Sequence, residues 1–155
     1  MRWKTCPKCQ ARIKALGIKG DKKHSAEAYL QSFIITHAEK FLNDKGRQII
    51  GWDEILEGGL APNSTVMSWR GESGGIEAAK QHHDVIMSPN TYLYFDYYQS
   101  KDVENEPEAI GGYLPIERVY SYEPMPKSLT PEEQKVYKKV YRLTCGLNIF
   151  LLSVR

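Results

Sequence analysis

An alternation between residues 47 and 100 constrains the fold most. Three short runs, "RQIIGWDEI" from Arg47, "TVMSWRG" from Thr65 and "DVIMSP" from Asp84, are rich in β-branched and aromatic residues and bounded by turn formers, so each reads as a strand. Between the second and third, "GGIEAAKQH" reads as a short helix. Strand, helix and strand at this spacing imply a βαβ unit and a parallel sheet. Upstream, Ala26, Leu30, Phe33, Ile34, His37 and Phe41 recur at helical spacing, with Ser25 placed as an N-cap and Gly46 as the C-terminal stop. The stretch from Ser100 to Gln134 is rich in Pro, Gly and charge. It reads as a long loop and linker leading to a helix that starts near Pro131.

The expected class is therefore α/β, with residues just past the C-terminal ends of parallel strands gathering at one mouth, where chemistry sits in a (β/α)8 barrel. Two of the strands end in tryptophan, Trp52 and Trp69, and the third leads into "VIMSPNTYLYFDYYQS", a loop with four tyrosines and Asp96. Aromatic residues at strand ends commonly serve only to pack. Three successive strands with an aromatic at the tip, and with Asp53 and Asp96 close by, point further. Aromatic faces stack on the CH groups of sugars, while carboxylates accept hydrogen bonds from hydroxyls.

Composition removes other classes. The 155 residues carry 21 Lys and Arg against 19 Asp and Glu, interspersed, so no one-sided field favours nucleic acid. The apolar run "LNIFLLSV" is too short to span a bilayer, and "MRWKTCPKCQ" lacks the apolar core of a signal peptide. As written, the chain is expected to stay where it is made, and Asn63 in "NST" matches a glycosylation acceptor only by chance. Cys6 and Cys9 in "CPKC" are compatible with half a zinc site or with a redox pair, whereas Cys145 stands apart. Zinc wants four ligands, and thioredoxin-type chemistry wants a strand before and a helix behind. Neither context is visible in the sequence, and no metal or cofactor is expected.

"GWDEIL", "VMSWRG" and "SPNTYLYFD", in this order and spacing, resemble the second half of the catalytic barrel of the β-N-acetylhexosaminidases, the family 20 glycoside hydrolases. The likeness covers residues 1–139 and implies a partial TIM (β/α)8 barrel acting on N-acetylhexosamine-containing oligosaccharides. The resemblance also assigns roles. Trp52 and Trp69 match tryptophans that wall the pocket for the acetamido group, and Tyr94 matches the tyrosine that hydrogen-bonds the acetamido oxygen. Asp96 matches the acid that holds the sugar's outer hydroxyls. Tyr92, Tyr97 and Tyr98 are expected to pack or to line the rim, and Asp53 and Glu54 to support. In the family the substrate's own acetamido oxygen attacks the anomeric carbon, with retention and without a glycosyl-enzyme bond.

Two departures set expectations of their own. The family's adjacent Asp and Glu, in a motif like His-x-Gly-Gly-Asp-Glu that precedes a segment similar to "RWKTCPKCQARIK", do not occur here, so this chain alone is expected to be inactive. After Lys139 the expected Gly-Val-Gln-Ala-Asn-Leu-Trp-Thr-Glu-Tyr-Ile is missing. Lys139 to Phe150 can nevertheless be encoded so that a frame starting at the third base of the Lys139 codon spells those residues. Residues 140–155 are therefore expected to be a frameshifted tail. A truncated barrel exposes strand edges, which favours self-association. The other reading of the chain is a non-catalytic carbohydrate-binding remnant.

Overall fold

The computed structural model describes residues 2–137, so the expected tail and Cys145 lie outside the described residues. The chain divides into two compact units, the first reaching Thr65 and the second starting at Val66.

The first unit opens with a 3-10 turn at Arg2–Lys4 and a nine-residue helix, α1 (Pro7–Ala15). Pro7 suits its place at the head of this helix, because a first-turn N–H has no intrahelical partner to lose. The long helix, α2 (Ala26–Asn43), begins at Ser25, whose hydroxyl accepts from the Ala28 N–H as an N-cap should. Its chain exit runs through Gly46 at φ +68°, beyond Asp44. Ahead of α2, Asp21 accepts from the Tyr29 hydroxyl at 2.6 Å and from the Lys23 and His24 N–H groups. These bonds, led by the one from Tyr29, hold its carboxyl at about 2.

The apolar stripe expected on α2 is buried only in part, at Leu30. Ile34 and Phe41 are 47% and 63% exposed, whereas Glu27, Ala28, Leu30 and Glu39 are buried. Polar bonds account for the difference. Gln31 donates to the Glu54 carbonyl at 2.7 Å, Ser32 to the Gly59 carbonyl at 2.8 Å, and the Glu39 carboxylate accepts from the Asn63 N–H. Residues 27, 28, 31, 32, 35 and 39 share one helical face, and that face satisfies the backbone of the segment from Glu54 to Asn63. On the α1 side, Gln10 donates to Glu27 at 3.0 Å, which is the leading cause of that acid's lowered pKa.

The first strand, β1 (Ile50–Trp52), runs directly into a 3-10 turn, Asp53–Leu56, which buries Asp53 and Ile55. Gly51 allows that tight return, since a Cβ there would meet Ile55 Cγ2 at 2.6 Å.

The second unit contains β2 (Thr65–Ser68) from Val66 onward, α3 (Ser73–Lys80) and β3 (Val85–Met87). β2 and β3 are parallel, with Val66 opposite Val85, Met67 opposite Ile86 and Ser68 opposite Met87. The expected βαβ unit is present. Both strands are buried along their length, as a parallel pair covered on both faces requires. Gly75 lets α3 settle on the pair: a Cβ there would lie 2.5 Å from Met87 Sδ and 3.0 Å from Val85 Cγ1. A short helix, α4 (Asn90–Leu93), follows β3. Within the stretch read as a loop the chain forms α5 (Ile116–Tyr120), and the late helix, α6 (Pro131–Tyr137), starts where expected. Among the described residues no helix is long and apolar enough to cross a membrane.

Candidate sugar-binding site

The second unit places its site residues through the ends of the two parallel strands. Ser68, the last residue of β2, is fully buried; its hydroxyl donates to the Gly71 carbonyl and accepts from the Gly75 N–H at 3.0 Å. One side chain thus pins the strand tip to the start of α3, and Trp69 follows immediately. Beyond the strands the pairing continues, with Ser88 N–H donating to the Ser68 carbonyl and Asn90 N–H to the Trp69 carbonyl, both at 2.8 Å. α4 then returns the chain so that the Tyr94 ring stacks on the Trp69 indole, with centroids 6.3 Å apart and planes 17° from parallel. Adjacent strand tips therefore hold two aromatic faces in a fixed register.

Asp96 is braced from a distance in sequence. Its carbonyl accepts from the Ile110 N–H, while Tyr98 and Tyr113 form a parallel bridge in which Leu114 N–H donates to the Tyr98 carbonyl at 2.8 Å. Gly112, at φ +78°, lies against the Tyr97 ring, and a Cβ there would be 2.5 Å from Tyr97 Cδ2. Tyr97 in turn meets the Tyr94 ring edge-on at 5.8 Å. A cavity of about 470 Å³ opens beside these residues, lined by Asp96, Tyr97, Tyr98, Glu106, Glu108 and Ile110 among others. Asp96 Oδ1 is buried and has no hydrogen-bond partner among the described residues. Such an oxygen is suited to a donor supplied by a ligand, because burying it unpaired is costly.

The remaining tyrosines do different work. Tyr92 stacks on Tyr122 at 4.8 Å, with the Arg118 guanidinium 5.3 Å from its ring centroid. Burial, followed by the charge of Glu72, pushes the Tyr122 hydroxyl well above its ordinary value, and burial raises Glu72. Tyr92 therefore packs away its phenol ring.

Of the residues singled out from the sequence, Trp69 and Tyr94 are brought into contact, and Asp96 lies two residues beyond Tyr94 with its carboxylate beside the cavity. Trp52 belongs to the first unit, where it ends β1 and is 41% exposed. Asp53 is buried in the following turn. The sequence reading missed Ser68 and the brace from 110 to 114. The glycine pair at the head of α3 was the available signal for the first; the second has none, since it depends on pairing between distant residues.

A model of the glycosyl hydrolase family 20 catalytic domain matches residues 1–146. The chain is 53% identical over 135 residues to a beta-hexosaminidase of Porphyromonas gingivalis, covering 86% of this chain and 16% of that protein. It is 32% identical over 146 residues to a beta-hexosaminidase of Vibrio furnissii, covering 94% of this chain and 23% of that one. The chain thus spans less than a quarter of the length of these relatives. Among solved structures it resembles the family 20 exo β-N-acetylglucosaminidase of Vibrio harveyi in complex with N-acetylglucosamine. The TM-score is 0.68 at 29% identity, over 92% of this chain and 21% of that one.

Proposed function

The chain belongs to glycosyl hydrolase family 20, and on that premise we propose that it forms part of the catalytic (β/α)8 barrel of a β-N-acetylhexosaminidase, its C-terminal half. The observation that carries the reading is the Trp69–Tyr94 stack at neighbouring parallel strand tips, with the buried, unpartnered Asp96 Oδ1 two residues further on. The acetamido group of the substrate packs on the Trp69 indole, and the Tyr94 hydroxyl donates to the acetamido oxygen. Held in this way, that oxygen attacks the anomeric carbon from within the substrate, giving retention without a covalent bond to the enzyme. Asp96 accepts from hydroxyls at the outer edge of the sugar. The role of Trp52, a second wall for the acetamido group, rests on its place in "GWDEIL".

The general acid has no counterpart in these 155 residues, which contain no His-x-Gly-Gly-Asp-Glu motif. Since a positioned general acid contributes about 10²–10⁴-fold, the chain by itself binds sugar without turning it over at a measurable rate. The second reading is a non-catalytic carbohydrate-binding remnant. Residues from about Val140 onward are a frameshifted tail in this account. Codons for Tyr141 to Cys145 that cannot be re-read as Gln-Ala-Asn-Leu-Trp reject that part.

A chimera separates the two readings. The Porphyromonas gingivalis relative is prepared with its matching stretch replaced by residues 1–137 of this chain, and assayed on a chromogenic nitrophenyl N-acetyl-β-glucosaminide. The chimera is expected to hydrolyse this substrate, and the isolated chain to give a blank. A folded but inactive chimera would leave the remnant reading standing.

A further inference from the structure

The function proposed above makes no use of Cys6 and Cys9. Sequence alone left this pair without context, and the structure supplies half of what was lacking: a helix stands directly behind it, although a 3-10 turn, rather than a strand, stands before. Cys6 is the N-cap of α1, with extended backbone at φ −83° and ψ 115°, and Cys9 is the third residue of the helix. An N-cap side chain lies next to the third helical residue, although the Cys6 thiol makes no cap hydrogen bond here. The two thiols are therefore neighbours across the helix start, both free and both half-exposed. Their surroundings make them unequal. The nearby Cys9 backbone, and then the Cys9 thiol, lower the Cys6 thiol from its ordinary range, while the Cys6 thiol, and then burial, raise Cys9. Pro7 at the first helical position fixes the turn between them, and Gln10 anchors it by donating to the Trp3 carbonyl at 2.9 Å and to Glu27. Among the described residues no group of three or more His, Cys, Asp or Glu side chains could hold a metal ion.

We propose that Cys6 and Cys9 form a redox-active dithiol that reduces small-molecule disulfides and closes to an intramolecular disulfide, with Cys6 as nucleophile and Cys9 as resolving thiol. The Cys6 thiolate attacks one sulfur of the external disulfide. A Cys6 mixed disulfide forms, and the other half leaves as a thiolate with the electron pair. That thiolate takes the Cys9 proton, and Cys9 sulfur then attacks Cys6 Sγ, expelling the second half of the reagent. Two protein thiols and one external disulfide become one protein disulfide and two small thiols, so two electrons leave the pair.

The test uses the whole chain carrying Cys145→Ser, treated at neutral pH with oxidised glutathione and analysed by mass spectrometry after acid quenching. The expected product is the Cys6–Cys9 disulfide, formed at least about tenfold faster than in the urea-unfolded chain. Cys9→Ser, which keeps the helical circular dichroism, should accumulate glutathione on Cys6. Cys6→Ser should leave Cys9 reacting slowly. Reaction no faster than in the unfolded chain, or equal labelling of the two cysteines in the single variants, overturns the proposal. So does purified protein that holds stoichiometric zinc with both thiols protected from the reagent.

Discussion

Replacing Tyr94 by Phe in the active chimera will lower kcat/KM for the N-acetyl-β-glucosaminide by about 10²–10³-fold, the range seen when one preorganised donor is removed from a site of developing charge. The substitution keeps the ring that stacks on Trp69 at 6.3 Å and removes only the hydroxyl, so the strand tips and their spacing should survive. If the hydroxyl orients the attacking acetamido oxygen, as proposed, the loss falls mainly on kcat. Steady-state kinetics beside a thermal melt of the same variant makes the check. A folded Tyr94→Phe chimera within a factor of about ten of the parent would show that the acetamido group is held by something else.

The second large effect is on stability. Gly58 sits at φ +90°, a backbone region that L side chains rarely adopt, and a methyl group there would collide with the Ala28 carbonyl of α2. Backbone strain costs about 1–3 kcal/mol and forced overpacking a similar amount, so Gly58→Ala should destabilise the protein by about 2 kcal/mol or more. For a protein of this size a loss of about 2 kcal/mol lowers the melting temperature by roughly 4–8 °C. Gly59→Ala is the control. Gly59 also has positive φ, at +102°, but a Cβ there would meet only Ser32 Oγ at 4.0 Å. The difference between the two melts isolates the collision. Equal shifts would mean that the segment from Glu54 to Asn63 does not lie on α2 as described.

The parts of the fold that could be read in advance carry local physical signatures. β2, α3 and β3 announced themselves because a run of β-branched residues, a helical stretch with paired glycines and a second such run leave few alternatives. The start of α2 was legible in Ser25, whose hydroxyl does cap the helix. Its buried face was legible only at Leu30, because hydrophobic spacing points also to Ile34 and Phe41, whereas Gln31, Ser32 and Glu39 secure the helix through hydrogen bonds to a distant backbone. α1 and α5 gave little periodic signal for a related reason: α1 buries only Ile13 and α5 buries nothing. At the site, Trp69 and Tyr94 could be matched by their positions after successive strands. The brace behind Asp96 could not, since the contact of residues 96–98 with 110–114 joins segments separated by irregular chain that holds Pro107 and a 3-10 turn from Val103 to Asn105.

The claim that the Trp69–Tyr94 pair holds an N-acylated sugar is tested most directly by a crystal structure of the chimera with N-acetylglucosamine bound. The account predicts the acetamido methyl against the Trp69 indole, the acetamido oxygen at about 2.7 Å from Tyr94 Oη and a sugar hydroxyl at hydrogen-bond distance from Asp96. A sugar bound with its acetamido group turned away from both rings, or bound at another surface of the chain, would contradict it.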